Sequence, residues 1–577
     1  MVLCRLGDLL DCPPPQVTMV KRVAIIGAGV SGLTSIKSCL DEGLEPTCFE
    51  RSDDIGGLWK FKETAGDGKT RAYRSVMTNT SKEMSCYSDF PFQEDYSNYM
   101  NQAKFWEYLH AYTEHFDLLK YVRFRTTVCS IIKHPDFFAT GQWVVVTESE
   151  GNRETTVFDA VMICTGLFLN ALLPLESFPG IKKFQGQVLH SQEYRIPEDF
   201  HGKRILVIGT GNTGGDVAVE LGRVAARVFL STRHGTWIIS RLSHDGYPLD
   251  MMLTTRFRHL IRWLLPSAIW NRMMEKQLNR WFNHENYGLR RCKGQKLKLM
   301  VNDELPSSIL CGTVTVKVKV QEFTETSAVF EDGTVEDVNV VIFATGYTSS
   351  FPYLEEPTQS LCRQKIFLHK YVFPSNLEKS TLALIGHVHL SGSILTATEL
   401  QARWVTRVFK GLCEIPPPST LMASAAKKEQ LIQRGVLQDP NTERLDYITY
   451  MDELARSLGA KPNILLLFLK DPKLGLKVFF GPCSPYQYRL TGPGKWDGAR
   501  KAILTQWDRV LKPLRTRLAP EPPSPPSTSK CLKVWGPPIL LAAAAGVLIC
   551  KFSFLLGISR IGLKEKSSAF LVSVMRW

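Results

Sequence analysis

An α/β fold built from two parallel, doubly wound units is what this sequence predicts, and three observations lead there. A strand–glycine–helix stretch occupies Lys21–Leu40, a second occupies Lys203–Asp216, and two apolar strands of like pattern, Asp159–Gly166 and Asn339–Gly346, each end in Thr-Gly. In the first stretch Val23–Ile26 is a continuous aliphatic run, the mark of a short strand buried on both faces. Gly27-Ala28-Gly29-Val30-Ser31-Gly32 then fits G-x-G-x-x-G, and Leu33–Leu40 opens a helix. Gly27 allows the tight turn, Gly29 lets a pyrophosphate approach the backbone, and Gly32 lets helix and strand pack closely. The helix N-terminus offers free N–H groups and the positive end of its dipole. A second strand, Pro46–Phe49, ends at Glu50, eighteen residues past Gly32 and placed to accept hydrogen bonds from a ribose. Strand, helix, strand and terminal acid in that order predict a dinucleotide site.

A chain of 577 residues, 44% hydrophobic and 22% charged, holds more than one globular domain. Its fourteen cysteines are scattered with no C-x-x-C pair, which argues for reduced thiols and against a disulfide framework, a zinc site or a disulfide reductase. No H-E-x-x-H metal site or G-x-S-x-G nucleophile elbow is present, so no metal is expected. A net charge of +14 suits a phosphorylated cofactor first, a membrane surface second and nucleic acid last; no nucleic-acid motif accompanies it, so no nucleic-acid partner is expected.

In chain order, residues 1–18 carry Pro13-Pro14-Pro15, lack the long apolar core of a secretory signal, and read as a disordered extension. Gly56-Gly57-Leu58-Trp59 admits two readings: a second backbone approach to a cofactor with Trp59 packed on it, or a turn followed by a core tryptophan. Val76–Met84 is a polar patch between aromatic segments. Its Asn79-Thr80-Ser81 is formally a glycosylation sequon, which the cysteine pattern disfavours; the Asn79 amide either serves a polar cofactor atom or caps a loop. The string Phe184-x-Gly186-x-x-x-His190-x-x-x-Tyr194 taken alone is a linker strand with one buried histidine.

In the second unit Ile205–Ile208 is the strand, Gly209, Gly211 and Gly214 are the fingerprint, and the strand Val228–Leu230 runs into Ser231-Thr232-Arg233 with no acid. An acid there would hold a 2′-hydroxyl; Arg233 among hydroxyls suits a 2′-phosphate, so NADP is expected rather than NAD. A first site ending in Glu50 and a second ending in Arg233 suggest FAD and NADPH together, hence an oxidoreductase. Thr254–Phe282 interleaves arginines with tryptophans and aliphatics at helical spacing, fitting a membrane interface, a helical cover over the active site, or both. Arg515–Lys530 is a Pro/Ser-rich linker, and Val534–Cys550 after it is an uncharged apolar run, short for a span of about 20 residues. It reads as a C-terminal membrane anchor.

Together GAGVSG, ERSDDIGGLW, TNTSKEM, the Phe184–Tyr194 string, GTGNTGGD and FATGY resemble the microsomal flavin-containing monooxygenases of vertebrates; HENYGL, NDELP, QARW and GPGKWDGARKAILTQWD agree. The resemblance runs from about Val20 to the tail. It implies two dinucleotide-binding (Rossmann-like) domains with a helical insertion in the NADP part and a C-terminal membrane-anchoring helix. It implies FAD and NADPH as cofactors, O₂ as co-substrate, and oxygenation of soft nucleophilic nitrogen or sulfur in xenobiotics and small metabolites through a flavin hydroperoxide. It also implies attachment to the endoplasmic reticulum membrane with the body facing the cytosol. By motif, Gly27, Ala28, Gly29, Val30, Ser31, Gly32, Glu50, Leu58 and Trp59 carry over to FAD. Asn79 and Thr80 carry over to the flavin edge, Asn79 as the catalytic residue. Gly209, Gly211, Thr213, Gly214, Gly215, Asp216 and Arg233 carry over to NADP.

The expected organisation is an extension (1–18), an FAD-binding domain in two parts (19–170 and 338–513), an NADP-binding domain (171–337) with an insertion at about 240–300, a linker (514–530), an anchor (531–558) and a tail (559–577). Two departures stand out: Leu167-Phe168 replaces a His-His pair common in the family, and Gln192 replaces an arginine. Three rival readings remain beside the resemblance: a Baeyer–Villiger oxygenase of ketones, an uncoupled NADPH oxidase, and a non-catalytic membrane-tethered binding protein that keeps the fold.

Overall fold

The computed structural model describes residues 20–63, 72–243, 245–290, 298–434 and 444–517. The N-terminal extension, the expected anchor at 531–558, the tail and all but the first residues of the linker lie outside the described residues. Among the described residues a main unit comprises those up to Arg256 and Gln277–Arg515, and Phe257–Lys276 belongs to a second unit.

The main unit is centred on two five-stranded parallel sheets, with smaller sheets beside them. The first has the order Leu382–Leu384, Ala160–Ile163, Arg22–Ile26, Glu45–Phe49, Val122–Arg123. The second has the order Val314–Lys317, Arg227–Ser231, Arg204–Ile208, Val340–Phe343, Gln187–His190. The aliphatic strand that precedes each glycine motif is central in its sheet, as a run with no polar face requires. Val23, Ala24, Ile25, Ile205, Leu206 and Val207 are fully buried. The two Thr-Gly strands occupy matching places, each paired in parallel with the strand before the glycines. Val340–Phe343 therefore belongs to the second sheet, hydrogen-bonded in parallel to Arg204–Ile208. The Phe184–Tyr194 string supplies the edge strand Gln187–His190, with His190 buried in the way the plain reading of a linker strand anticipates.

Helices cover the first sheet. Val30–Asp41 packs on Ile394–Phe409, which packs in turn on Tyr447–Leu458. A buried ionic cluster ties these layers together. Arg489 pairs with Glu399 at 2.7 Å and with Asp89 at 2.8 Å, and Lys37 reaches Asp89 at 3.0 Å. The last described α-helix, Ala499–Leu511, sends Arg509 to Glu83 in a two-pronged pair at 2.8 and 2.6 Å. Within the expected insertion the chain forms Leu249–Leu253, Arg256–Leu264 and Ser267–Leu278. In the second unit Trp263, Ile269 and Met273 are exposed. Among the described residues no helix is long and apolar enough to cross a membrane.

Candidate active site

The first cradle is a turn that only glycine completes. Gly27 has φ +102°, and a Cβ on Gly32 would lie 1.9 Å from the Gly27 carbonyl oxygen. The helix Val30–Asp41 starts at Gly29 with no side-chain cap and no acid in its first turn, so its leading N–H groups and dipole end are left for an anion. Glu50 is buried beside this turn: Oε2 accepts from Ala28 N–H and Oε1 from Ser52 N–H, each at 2.8 Å. Gly56-Gly57 crosses over the fingerprint. The Gly56 N–H donates to Ala28 O at 3.1 Å, and Gly29 faces the Gly57 Cα. Leu58 is half-buried and Trp59 packs on Phe105, with ring centroids 4.1 Å apart. Both readings of GGLW thus have a counterpart: the glycines approach the cradle, and the tryptophan is a packing residue.

The second cradle repeats the first. A Cβ on Gly214 would stand 2.0 Å from Gly209 O, while Gly211 has nothing within 4 Å and faces open space. The helix Asn212–Leu221 begins at Gly211, again without a side-chain cap or an acid in its first turn, and Thr213 lies half-exposed in that turn. Gly215 is a packing glycine, since a Cβ would meet Met300 Sδ at 2.5 Å. Asp216 is committed within the protein: its carboxylate accepts from Tyr73 OH at 2.6 Å and from Asn302 Nδ2 at 2.8 Å. Burial pushes its carboxyl above the ordinary range. Past the strand Arg227–Ser231, the Thr232 hydroxyl reaches the Thr210 hydroxyl at 3.2 Å and Arg233 is exposed.

Asn79 and Thr80 lie on the long segment between the strands Glu45–Phe49 and Val122–Arg123 of the first sheet, which also touches the second glycine unit. Tyr73 and Ser75 reach across to Asp216 and Glu220 of the second helix, at 2.6 and 2.7 Å. Arg241 reaches back, donating from Nε to Thr78 O at 3.0 Å and from Nη2 to Asn79 Oδ1 at 2.9 Å, while Nη1 pairs with Asp303 at 2.9 Å. A guanidinium only donates, so the carbonyl end of the Asn79 amide must face Arg241 and the N–H₂ end must face away. Asn79 is exposed, and its donor end is turned outward from this anchor. Below it, Ser81 donates twice to Asp250, at 2.7 and 3.0 Å, and Thr80 shares a 2.5 Å contact with Ser85. Burial raises the Asp250 carboxyl. Sequence reasoning singles out Asn79 and Thr80 but not Arg241, Asp303, Asp250 or Tyr73, whose contacts join stretches far apart in the chain.

The departures lie around His190. Phe168 is exposed and meets Tyr347 edge-on at 5.3 Å; Tyr347 meets His190 in the same manner at 5.1 Å. Gln192 supports His190 through its backbone, donating N–H to Nδ1 at 3.0 Å.

A family model described as flavin-binding monooxygenase-like matches residues 20–550. The dimethylaniline monooxygenase (N-oxide-forming) 4 of Homo sapiens is 65% identical over 559 residues, covering 97% of this chain and 100% of the relative. Flavin-containing monooxygenase 2 of Homo sapiens is 54% identical, covering 90% and 97%. Among solved structures, S-allyl-L-cysteine S-oxygenase from Allium sativum shares the fold at TM-score 0.59 and 21% identity, over 85% of this chain and 99% of that one. Cyclohexanone monooxygenase from Rhodococcus sp. Phi1, solved with NADP+, does so at 0.56 and 16%, over 77% and 98%.

Proposed function

This chain belongs to the flavin-binding monooxygenase-like family, and from that premise we propose that it oxygenates soft nucleophilic nitrogen and sulfur atoms of small lipophilic amines and sulfur compounds. It is a flavoprotein monooxygenase whose cofactors are FAD and NADPH and whose co-substrate is O₂. The observation that carries the reading is the pair of unlike cradles in one unit. Both are uncapped helix N-termini behind obligatory glycine turns, one followed by buried Glu50 and the other by exposed Arg233.

The residues present fit the two cofactors. A Cβ on Gly32 or Gly214 would close either turn, and Gly211 leaves open space for a pyrophosphate. Glu50 would accept from a ribose, and Arg233 with Thr232 would hold a 2′-phosphate. When bound, NADPH supplies reducing equivalents and FAD supplies the activation of O₂. The amine or thioether is itself the nucleophile, so the protein needs neither a nucleophilic side chain nor an acid–base pair. Its tasks are to orient, to exclude water and to hold a donor ready. Asn79 presents that donor, and Arg241, clamped by Asp303, fixes which end of the amide does so.

The apolar run Val534–Cys550 behind its Pro/Ser-rich linker supports attachment to the endoplasmic reticulum membrane, with the body on the cytosolic side where free cysteines stay reduced. The test of the activity is oxygen transfer. With NADPH, isotopically heavy dioxygen and N,N-dimethylaniline, the purified protein should yield an N-oxide carrying the heavy atom. Peroxide alone would mark an uncoupled oxidase, and heavy oxygen inserted only into ketones would mark the Baeyer–Villiger alternative.

A further inference from the structure

We propose that the helical hairpin Ile464–Lys470 and Pro472–Phe480 is a membrane contact of the protein's body, seated on an anionic bilayer surface apart from the C-terminal run. The proposal rests on the reading of membrane attachment and extends it to a named surface.

A seven-residue helix of sequence ILLLFLK should bury its leucines, yet no residue of it is buried. Leu465 is 77% exposed, Leu469 82% and Leu466 44%; on the second helix Leu476 is 48% exposed. These leucines are not the fraying end of a loose element. The helices cross at Gly475, where a Cβ would come within 3.0 Å of Phe468 N, and Leu474 and Val478 point into the core. The packing that could have taken the leucines is already filled, so they form a fixed apolar surface facing outward.

The unpaired charge on that surface is positive. Lys470, Lys473 and Lys477 are exposed and make no salt bridge among the described residues. The one acid, Asp471, caps the second helix by accepting from Leu474 N–H at 3.1 Å and pairs with Arg500 at 2.6 Å. Exposed leucines ringed by lysines match an interface whose interior is apolar and whose headgroups carry phosphate. Two copies of such a patch would repel, which argues against a second chain as the occupant. The second helix of the hairpin also packs on Ala499–Leu511, the last described α-helix before the linker and the apolar run of the sequence.

The test uses the full chain reconstituted into vesicles of phosphatidylcholine with phosphatidylserine. A photoreactive benzoylphenylalanine replaces Leu469 in one variant and Leu541, within the C-terminal run, in another. Lipid adducts at both positions are expected. In phosphatidylcholine alone the yield at position 469, but not at 541, should fall at least about fivefold, the factor for one lysine beside an anionic surface. A flavin-retaining variant with Lys470→Glu, Lys473→Glu and Lys477→Glu should lose that dependence on phosphatidylserine. Lipid adducts at 541 with none at 469 would overturn the proposal and leave membrane attachment standing. Adducts of 469 to another protein chain would overturn it in favour of a protein partner. Silence at both positions would overturn the hairpin and the attachment together.

Discussion

Asn79 holds its place in the account through a single orientation: the carbonyl end is claimed by Arg241, so the amide hydrogens are the outward donor. Asn79→Ser should leave FAD bound while lowering product formed per NADPH by roughly 100-fold, the scale of losing one preorganised donor, with peroxide rising in compensation. Arg241→Met should act in the same direction through Asn79, since it frees the amide to turn; peroxide release measured beside product formation checks both. Arg233→Gln should raise the KM for NADPH by about tenfold or more and leave that for NADH unchanged, the signature of a lost 2′-phosphate partner. At this scale the sequence was legible where a motif is local. The glycines, Glu50, Asn79 and Arg233 each sit in a short ordered pattern. Arg241 did not show, because its partner lies 162 residues away and nothing in its neighbourhood marks it. Asp216 was legible as a motif member, but its hydrogen bonds to Tyr73 and Asn302 depend on elements that only folding brings together.

The two strand–glycine–helix elements fold as their sequences require, and a substitution shows how little room they leave. Gly32→Ala places a Cβ against a backbone carbonyl at 1.9 Å, so the variant should be isolated without flavin, read directly from its absorbance. A second element carries a pH dependence. His284 is buried, its Nε2 accepting from Ile238 N–H at 3.0 Å within the strand Trp237–Ile239, two residues before Arg241. Burial pushes its imidazole down to about 4. The folded protein thus holds the ring neutral over a range in which the unfolded chain protonates it. The stabilisation is complete above the ordinary value of about 6.5 and is lost as the pH falls from there toward about 4. The protection of the Trp237–Arg241 amides, with exchange referred to the intrinsic rate at each pH, should fall as the pH drops across that window and stay constant above it. Element types were readable from period and punctuation, whereas the extent of the second sheet was not. Val340–Phe343 reads equally well as a strand of either domain until its parallel pairing with Arg204–Ile208 is seen.

The molecule as a whole depends on residues that bind neither cofactor. Tyr73 and Ser75 lock the segment before Asn79 to the second helix, and Arg509 grips Glu83 just after it. The Arg509–Glu83 pair is nearly sealed from solvent, at 9% and 1% side-chain exposure. Arg509→Met would leave an unpaired buried carboxylate and should cost about 3–5 kcal/mol of stability, measured by denaturant unfolding. The GPGKWDGARKAILTQWD segment marked the family in the sequence, but its service to the Asn79 loop emerges only across the 426 residues that separate the two ends. All these contacts serve one arrangement, two nucleotide cradles held within a single unit so that electrons entering at one reach the other. Anaerobic titration of the yellow holoprotein with NADPH tests that claim most directly. Loss of the yellow absorbance with one equivalent of NADPH per chain, and far more slowly with NADH, is the result predicted; a chain that binds both nucleotides yet keeps its colour would contradict it.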